Sequence, residues 1–175
     1  CQERMKKENL ILLCGQNSDN LPWLEKMGKH FEKSYKIKIQ EYSHWGKDTE
    51  MDFTVELNKL KRTISKLDDY SIVAKSAGGI LALMAYKEGL IDNRCKLIII
   101  GTPTIWAEKR DIDVEPLISS DPNILYIQGT NDPKGNYSDL KKYHRFPSAI
   151  VKYYSNDHGY RKTKTMSRYI QKFLQ

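Results

Sequence analysis

Tyr70-Ser71-Ile72-Val73-Ala74-Lys75-Ser76-Ala77-Gly78-Gly79-Ile80-Leu81-Ala82-Leu83 reads as a buried strand, a turn of small residues around one serine, and a buried helix. A strand that becomes a helix within a few residues leaves no room for side chains beside the turn. Ala74, Gly78 and Gly79 therefore answer a steric demand. The serine stands exposed at the top of its strand, and the backbone N–H groups that begin the helix are free to meet developing negative charge. A small-residue turn that serves packing alone would look the same locally, so the weight falls on the rest of the chain.

Two later strand-like runs end in polar loops. Asn123-Ile124-Leu125-Tyr126-Ile127-Gln128 is followed by Gly129-Thr130-Asn131-Asp132-Pro133, and Ala149-Ile150-Val151-Lys152-Tyr153-Tyr154-Ser155 by Asn156-Asp157-His158-Gly159-Tyr160. A small-x-Ser-x-Gly-Gly turn, then an acid, then a histidine, each just after a strand, resembles the nucleophile elbow, acid loop and histidine loop of the α/β-hydrolase superfamily. Ala74 stands where glycine is commoner in that pattern. The resemblance covers nearly the whole chain and implies a three-layer sandwich with a mostly parallel sheet of about six strands in the order 2-1-3-4-5-6, the serine following the third. It also implies Ser76 as nucleophile, His158 as its general base and Asp132 as the acid that orients the imidazole. Asp157 and Asp111 are alternative acids, and Asp132 before Pro133 is also an ordinary turn former.

The same resemblance implies an oxyanion hole from the backbone N–H of Ala77 and one from the loop after the first strand, Gln16 being the first choice and Asn17 the second. Asn17 and Trp106 are the candidate substrate contacts, although a core role suits an aromatic such as Trp106 better. Many relatives carry His-Gly at this loop, whereas this chain has Cys14-Gly15. Small size, an early first strand and the Gly-Thr-Asn-Asp-Pro loop resemble, more narrowly, the compact capless hydrolases of the retinoblastoma-binding-protein-9 and YdeN-like group.

Strand-like and helix-like patterns alternate along the chain, which predicts a parallel sheet covered on both faces. Leu10 to Cys14 is the expected first strand. Asp19 or Asn20 is placed to cap the next helix, with Pro22 in its first turn and Trp23, Met27 and Phe31 as its apolar stripe. Tyr35 to Tyr42 alternates apolar with charged residues, as a strand near a sheet edge does. Phe53, Leu57, Leu60, Ile64 and Leu67 recur at helical spacing and predict one core-facing stripe. Lys96 to Ile100 is the expected fourth strand. Residues 104–122 are weakly patterned and acidic, and read as an excursion over the site. Met166, Tyr169, Ile170, Phe173 and Leu174 give a closing helix its apolar face.

At 175 residues the chain fits one domain with a core large enough to need no disulfide or metal. Its three cysteines lie far apart, which points to a reducing, cytoplasmic setting. Cys1 is either the residue left by a removed leader, even a lipidated one, or lies ahead of a natural start at Met5. No Gly-x-x-x-x-Gly-Lys, Gly-x-Gly-x-x-Gly or His-x-x-x-His pattern occurs, so neither cofactor nor metal is expected and the partner is a small acyl substrate. Net charge is +7, yet residues 134–175 carry ten Lys or Arg against two Asp, leaving −1 for residues 1–133. Basic residues interleaved with Tyr143, Phe146, Tyr153, Tyr154 and Tyr160 suggest a competing function. In it, a non-catalytic scaffold of the same fold holds an anionic partner on its C-terminal face, with nucleic acid the less favoured occupant for want of a recognised motif.

Overall fold

The structure is a computed structural model that describes residues 6–118, 121–145 and 150–175. Cys1, Phe146 and the expected strand start at Ala149 lie outside the described residues. Six parallel strands form one sheet: β1 (Glu8–Leu13), β2 (Tyr35–Gln40), β3 (Tyr70–Lys75), β4 (Leu97–Ile100), β5 (Ile124–Gly129) and β6 (Ile150–Tyr153). Their order is β2-β1-β3-β4-β5-β6, as the resemblance implies. Helices α1 (Leu21–Lys29), α2 (Phe53–Ile64), α3 (Ala77–Lys87), α4 (Thr104–Glu108), α5 (Tyr137–Tyr143) and α6 (Thr163–Leu174) connect and cover the strands.

Central strands are buried on both faces, so they read as unbroken apolar runs. Leu10 to Leu13, Ile72 to Ala74 and Leu97 to Ile100 are all essentially inaccessible. The edge strand β2 alternates instead, with Lys36 and Lys38 exposed and Ile37 and Ile39 partly covered. The chain runs from β1 outward to β2 and then returns to β3 on the other side of β1. The carboxyl ends of β1 and β3 therefore border a switch point, the place where folds of this class leave a crevice.

Several local expectations need correction. Asn20 occupies the residue before α1, after a 3₁₀ turn at Ser18–Asn20, but its side chain makes no cap; its Oδ1 accepts from Lys75 Nζ at 3.2 Å. Its backbone is already helical, at φ −78° and ψ −12°, where a capping residue is extended. Phe31 and Leu67 lie beyond the ends of their helices, where they still pack on the core. Cys14 and Cys95 fall just outside β1 and β4, and burial pushes both thiols up to about 12. Residues 104–122 open with the short helix α4, anchored by Ile105 N–H to the Lys134 carbonyl at 2.9 Å. Among the described residues no helix is long and apolar enough to cross a membrane.

Glu56, on α2, is buried and accepts from Gln40 Nε2 at 2.9 Å and the Ser43 N–H at 2.8 Å, fixing the loop after β2. His144 ends α5 against the edge of the Tyr126 ring, and neither of its ring nitrogens has a hydrogen-bond partner among the described residues. Burial lowers its pKa, because the charged imidazolium is the form that desolvation penalises. The unfolded chain thus takes up the extra proton first, at about pH 6.5, and stability is lost as pH falls through that value toward the lower folded one. The urea midpoint is expected to drop between about pH 7 and about pH 5, and His144→Leu to flatten that dependence.

Candidate active site

Ser76 takes φ +55°, the sparsely populated left-handed side, in the step from β3 to α3. Its N–H donates to the Ile100 carbonyl at 2.9 Å, so the β3–β4 ladder runs to the turn itself. Its carbonyl accepts from Gly79 N–H at 2.8 Å, which starts the helix without delay. Crowding explains the glycines. A Cβ on Gly78 would fall 2.8 Å from the Leu13 carbonyl oxygen and closer still to that of Cys14, both backbone atoms. A Cβ on Gly79 would meet the Ile99 Cγ2 methyl at 2.7 Å, a side-chain atom and not backbone, although on the stiff β-branch of a fully buried residue. Gly78→Ala is expected to cost about 3 kcal/mol in urea denaturation, with Gly79→Ala costing less.

The acid and histidine loops are laid side by side by the β5–β6 pair. Thr130 N–H donates to the Tyr153 carbonyl at 2.8 Å and Asn131 N–H to that of Ser155 at 3.2 Å, extending the register past both strands. His158 consequently reaches both other groups. Its Nε2 lies 2.7 Å from Ser76 Oγ and its Nδ1 2.6 Å from Asp132 Oδ2. Asp132 is 2% exposed; Ser76, expected to stand exposed, is buried at 8%, because the turn packs between β1 and β4, while the His158 side chain remains partly accessible. Asp132 Oδ1 accepts the Lys134 N–H at 2.9 Å. The other acids are elsewhere: Asp157 is exposed and paired with Arg161 at 2.5 Å, and Asp111 is exposed.

Gln16 and Ala77 lie on the two sides of the switch point, in the loop after β1 and at the first position of α3. Neither backbone N–H has an acceptor among the described residues. The loop is held from behind. Cys14 carbonyl accepts the Tyr42 hydroxyl at 2.6 Å, and Gln16 carbonyl accepts the Trp45 indole N–H at 2.9 Å with His44 Nε2 at 2.6 Å. Asn17 is exposed at the rim. Trp106 is partly buried beneath the Arg110 guanidinium, 4.1 Å from its ring centroid, and Arg110 pairs with Glu50 through both carboxylate oxygens. That Arg110 contact, with its core packing, accounts for Trp106 without a ligand.

Three residues at the site carry no signal in the sequence motifs. Lys75, beside the serine, is buried and lies 4.7 Å from the Trp23 ring centroid; burial lowers its pKa below the usual lysine range. Trp23 in turn donates its indole N–H to the Tyr160 carbonyl at 2.7 Å. Tyr160 donates its hydroxyl to Asp132. The only clue available for Tyr160 was its place two residues after the histidine.

No family model matches the chain, and no curated protein matches it by sequence. Solved structures do. Est1E from Butyrivibrio proteoclasticus, solved with ferulic acid bound, superposes with a TM-score of 0.75 at 14% identity, over 99% of this chain and 90% of that one. The esterase Pf2001 of Pyrococcus furiosus gives 0.71 at 12% identity, over 97% and 81%. MGS-M2, an α/β hydrolase enzyme from a Medee basin deep-sea metagenome library, gives 0.65 at 16% identity, over 99% and 91%. Likeness at such low identity speaks for architecture alone, and together with the strand order it shows that this chain has the α/β-hydrolase fold.

Proposed function

We propose that the protein is a serine hydrolase that cleaves a small ester or thioester, or an amide, through an acyl-enzyme. The observation that carries this reading is the continuous Ser76–His158–Asp132 chain at 2.7 and 2.6 Å. Ser76 is a weak nucleophile until His158 Nε2 takes its proton during attack on the carbonyl carbon. A bond forms from Oγ to that carbon, and the tetrahedral oxyanion is met by the N–H groups of Ala77 and Gln16. His158 then returns the proton to the leaving group as its bond breaks. Water then attacks the acyl carbon as it gives a proton to the same nitrogen, and collapse of the second tetrahedral oxyanion breaks the bond to Oγ, which takes that proton back from His158 as the acid leaves. Asp132 keeps the imidazole in the tautomer with hydrogen on Nδ1 and stabilises the imidazolium, without taking the proton.

Cys14 is a poor competitor for the nucleophile, because a thiol pushed up to about 12 stays protonated at neutral pH. Among relatives of this fold we assign the protein to the compact group without a cap domain, resembling the retinoblastoma-binding-protein-9 and YdeN-like hydrolases, with residues 104–122 as the excursion beside the site. The support is the short acid loop between β5 and α5. Short-chain nitrophenyl esters are expected to be hydrolysed by the wild-type protein; folded protein that leaves them intact contradicts the reading.

The basic segment from residue 134 onward favours the second reading. Lys141, Lys142, Arg145, Lys152, Arg161, Lys162, Lys164 and Arg168 are all exposed, and Tyr154 stands 77% exposed among them. A scaffold for an anionic partner would bind oligonucleotides or acidic polymers with a strong salt dependence. Lack of binding at low salt removes that alternative.

A further inference from the structure

We infer that Tyr160 is a positioning residue for the Asp132–His158 pair, its hydroxyl acting as a second, directed donor to the carboxylate oxygen that holds the imidazole. The inference rests on the hydrolase reading above and adds a residue that no part of the Ser-acid-His pattern predicts.

Asp132 Oδ2 receives two donors, His158 Nδ1 at 2.6 Å and the Tyr160 hydroxyl at 2.7 Å. The phenol proton has little choice of direction. Its oxygen accepts the Gly129 N–H at 2.9 Å, so the one remaining bond, the O–H, is aimed at Asp132. With Oδ1 taken by the Lys134 N–H, both carboxylate oxygens are fixed. The carboxylate cannot rotate without losing a bond, and the imidazole it holds inherits that rigidity.

The fold makes considerable room for this phenol. Tyr160 is fully buried and sits at φ +49°, a strained conformation for an aromatic residue. Trp23, from α1, grips its carbonyl. Gly101, at φ +66°, leaves the space that the ring fills, since a Cβ there would fall 2.5 Å from the Tyr160 ring. A Cβ on Gly129 would lie 3.1 Å from the hydroxyl. The ring also meets His158 edge-on, with centroids 5.7 Å apart. Burial, with the Asp132 charge beside it, pushes the phenol above the ordinary tyrosine range, so it stays a donor throughout the working pH range.

Among the described residues the charged and titratable groups around the pair are few. Lys75 faces it from β3, Lys134 from the acid loop, Arg161 and Asp157 from the histidine loop, Tyr153 from β6 and Ser76 from the start of α3. A donor on Oδ2 draws off charge that Asp132 would otherwise present to the imidazolium. Its loss strengthens the hold of Asp132 on the protonated ring, so the acid limb of the pH–rate profile moves to higher pH.

The test is ester hydrolysis and fluorophosphonate labelling of the wild-type protein, Tyr160→Phe, and protein carrying 3-fluorotyrosine at position 160. Phenylalanine keeps the ring packing and deletes the donor. Expected for Tyr160→Phe are a kcat lower by roughly tenfold, an unchanged KM and an acid limb raised by roughly half a pH unit. Fluorotyrosine, a stronger donor with both bonds retained, is expected to move the limb to lower pH. An acid limb in folded Tyr160→Phe that coincides with wild type, at whatever kcat, overturns the inference and leaves Tyr160 a packing residue. If phenylalanine prevents folding, an unmoved limb in the fluorotyrosine protein overturns it equally. Wild-type protein that neither hydrolyses nor labels overturns the hydrolase reading instead, before any Tyr160 comparison arises.

Discussion

Ser76→Ala is expected to remove ester hydrolysis, with kcat falling by about 10⁶-fold, the scale on which a nucleophile that acts as part of a unit fails when deleted. The fold should persist. Among the described residues the Ser76 hydroxyl bonds only to His158, while the bonds that shape the turn run through its N–H and carbonyl and do not depend on the side chain. Alanine adopts φ +55° about as reluctantly as serine does, so the urea midpoint should shift by less than the equivalent of about 1 kcal/mol. Circular dichroism together with turnover separates this result from unfolding. A variant that keeps its turnover would assign the chemistry to another group.

Asp132→Asn is expected to lower kcat by about 10⁴-fold. The carboxylate has acceptor oxygens only, and three donors already converge on it: His158 Nδ1, the Tyr160 hydroxyl and the Lys134 N–H. An amide must turn its NH₂ either toward the side shared by His158 Nδ1 and the Tyr160 hydroxyl or toward the Lys134 N–H. Turned toward Nδ1, it accepts no proton there and forces the hydrogen to Nε2, which then cannot take the Ser76 proton. Turned toward the Lys134 N–H, it leaves a buried donor facing a donor, at a cost of about 1–3 kcal/mol in stability. Fluorophosphonate labelling rates and urea denaturation on the same variant read the two effects apart. A rate within tenfold of wild type would show that Asp132 does not orient the imidazole.

Much of the architecture was legible in sequence because buried parallel strands are written as apolar runs. Leu10 to Leu13 and Leu97 to Ile100 are apolar runs too short for a buried helix, and the alternation in Tyr35 to Gln40 marks an edge. The glycines of the serine turn were legible for the same kind of reason, steric exclusion by the Leu13 and Cys14 carbonyls. Local pattern fails where a partner distant in sequence sets the outcome. Asn20 looks like a cap, but its backbone is already helical and its Oδ1 accepts from Lys75, 55 residues later. The helix α4 has five residues, too few for periodicity to register, and owes its place to contacts with Lys134. At the site, the Ser76, Asp132 and His158 loops are marked by motif, but Tyr160 and Trp23 act through bonds spanning 28 and 137 residues that no spacing encodes.

The most direct measurement is fluorophosphonate labelling of the wild-type protein, with the modified residue assigned by peptide mass spectrometry. The account predicts one adduct, on Ser76, formed more slowly in His158→Ala and absent from Ser76→Ala. Folded wild-type protein that takes up no probe, or carries it on a different residue, would contradict it.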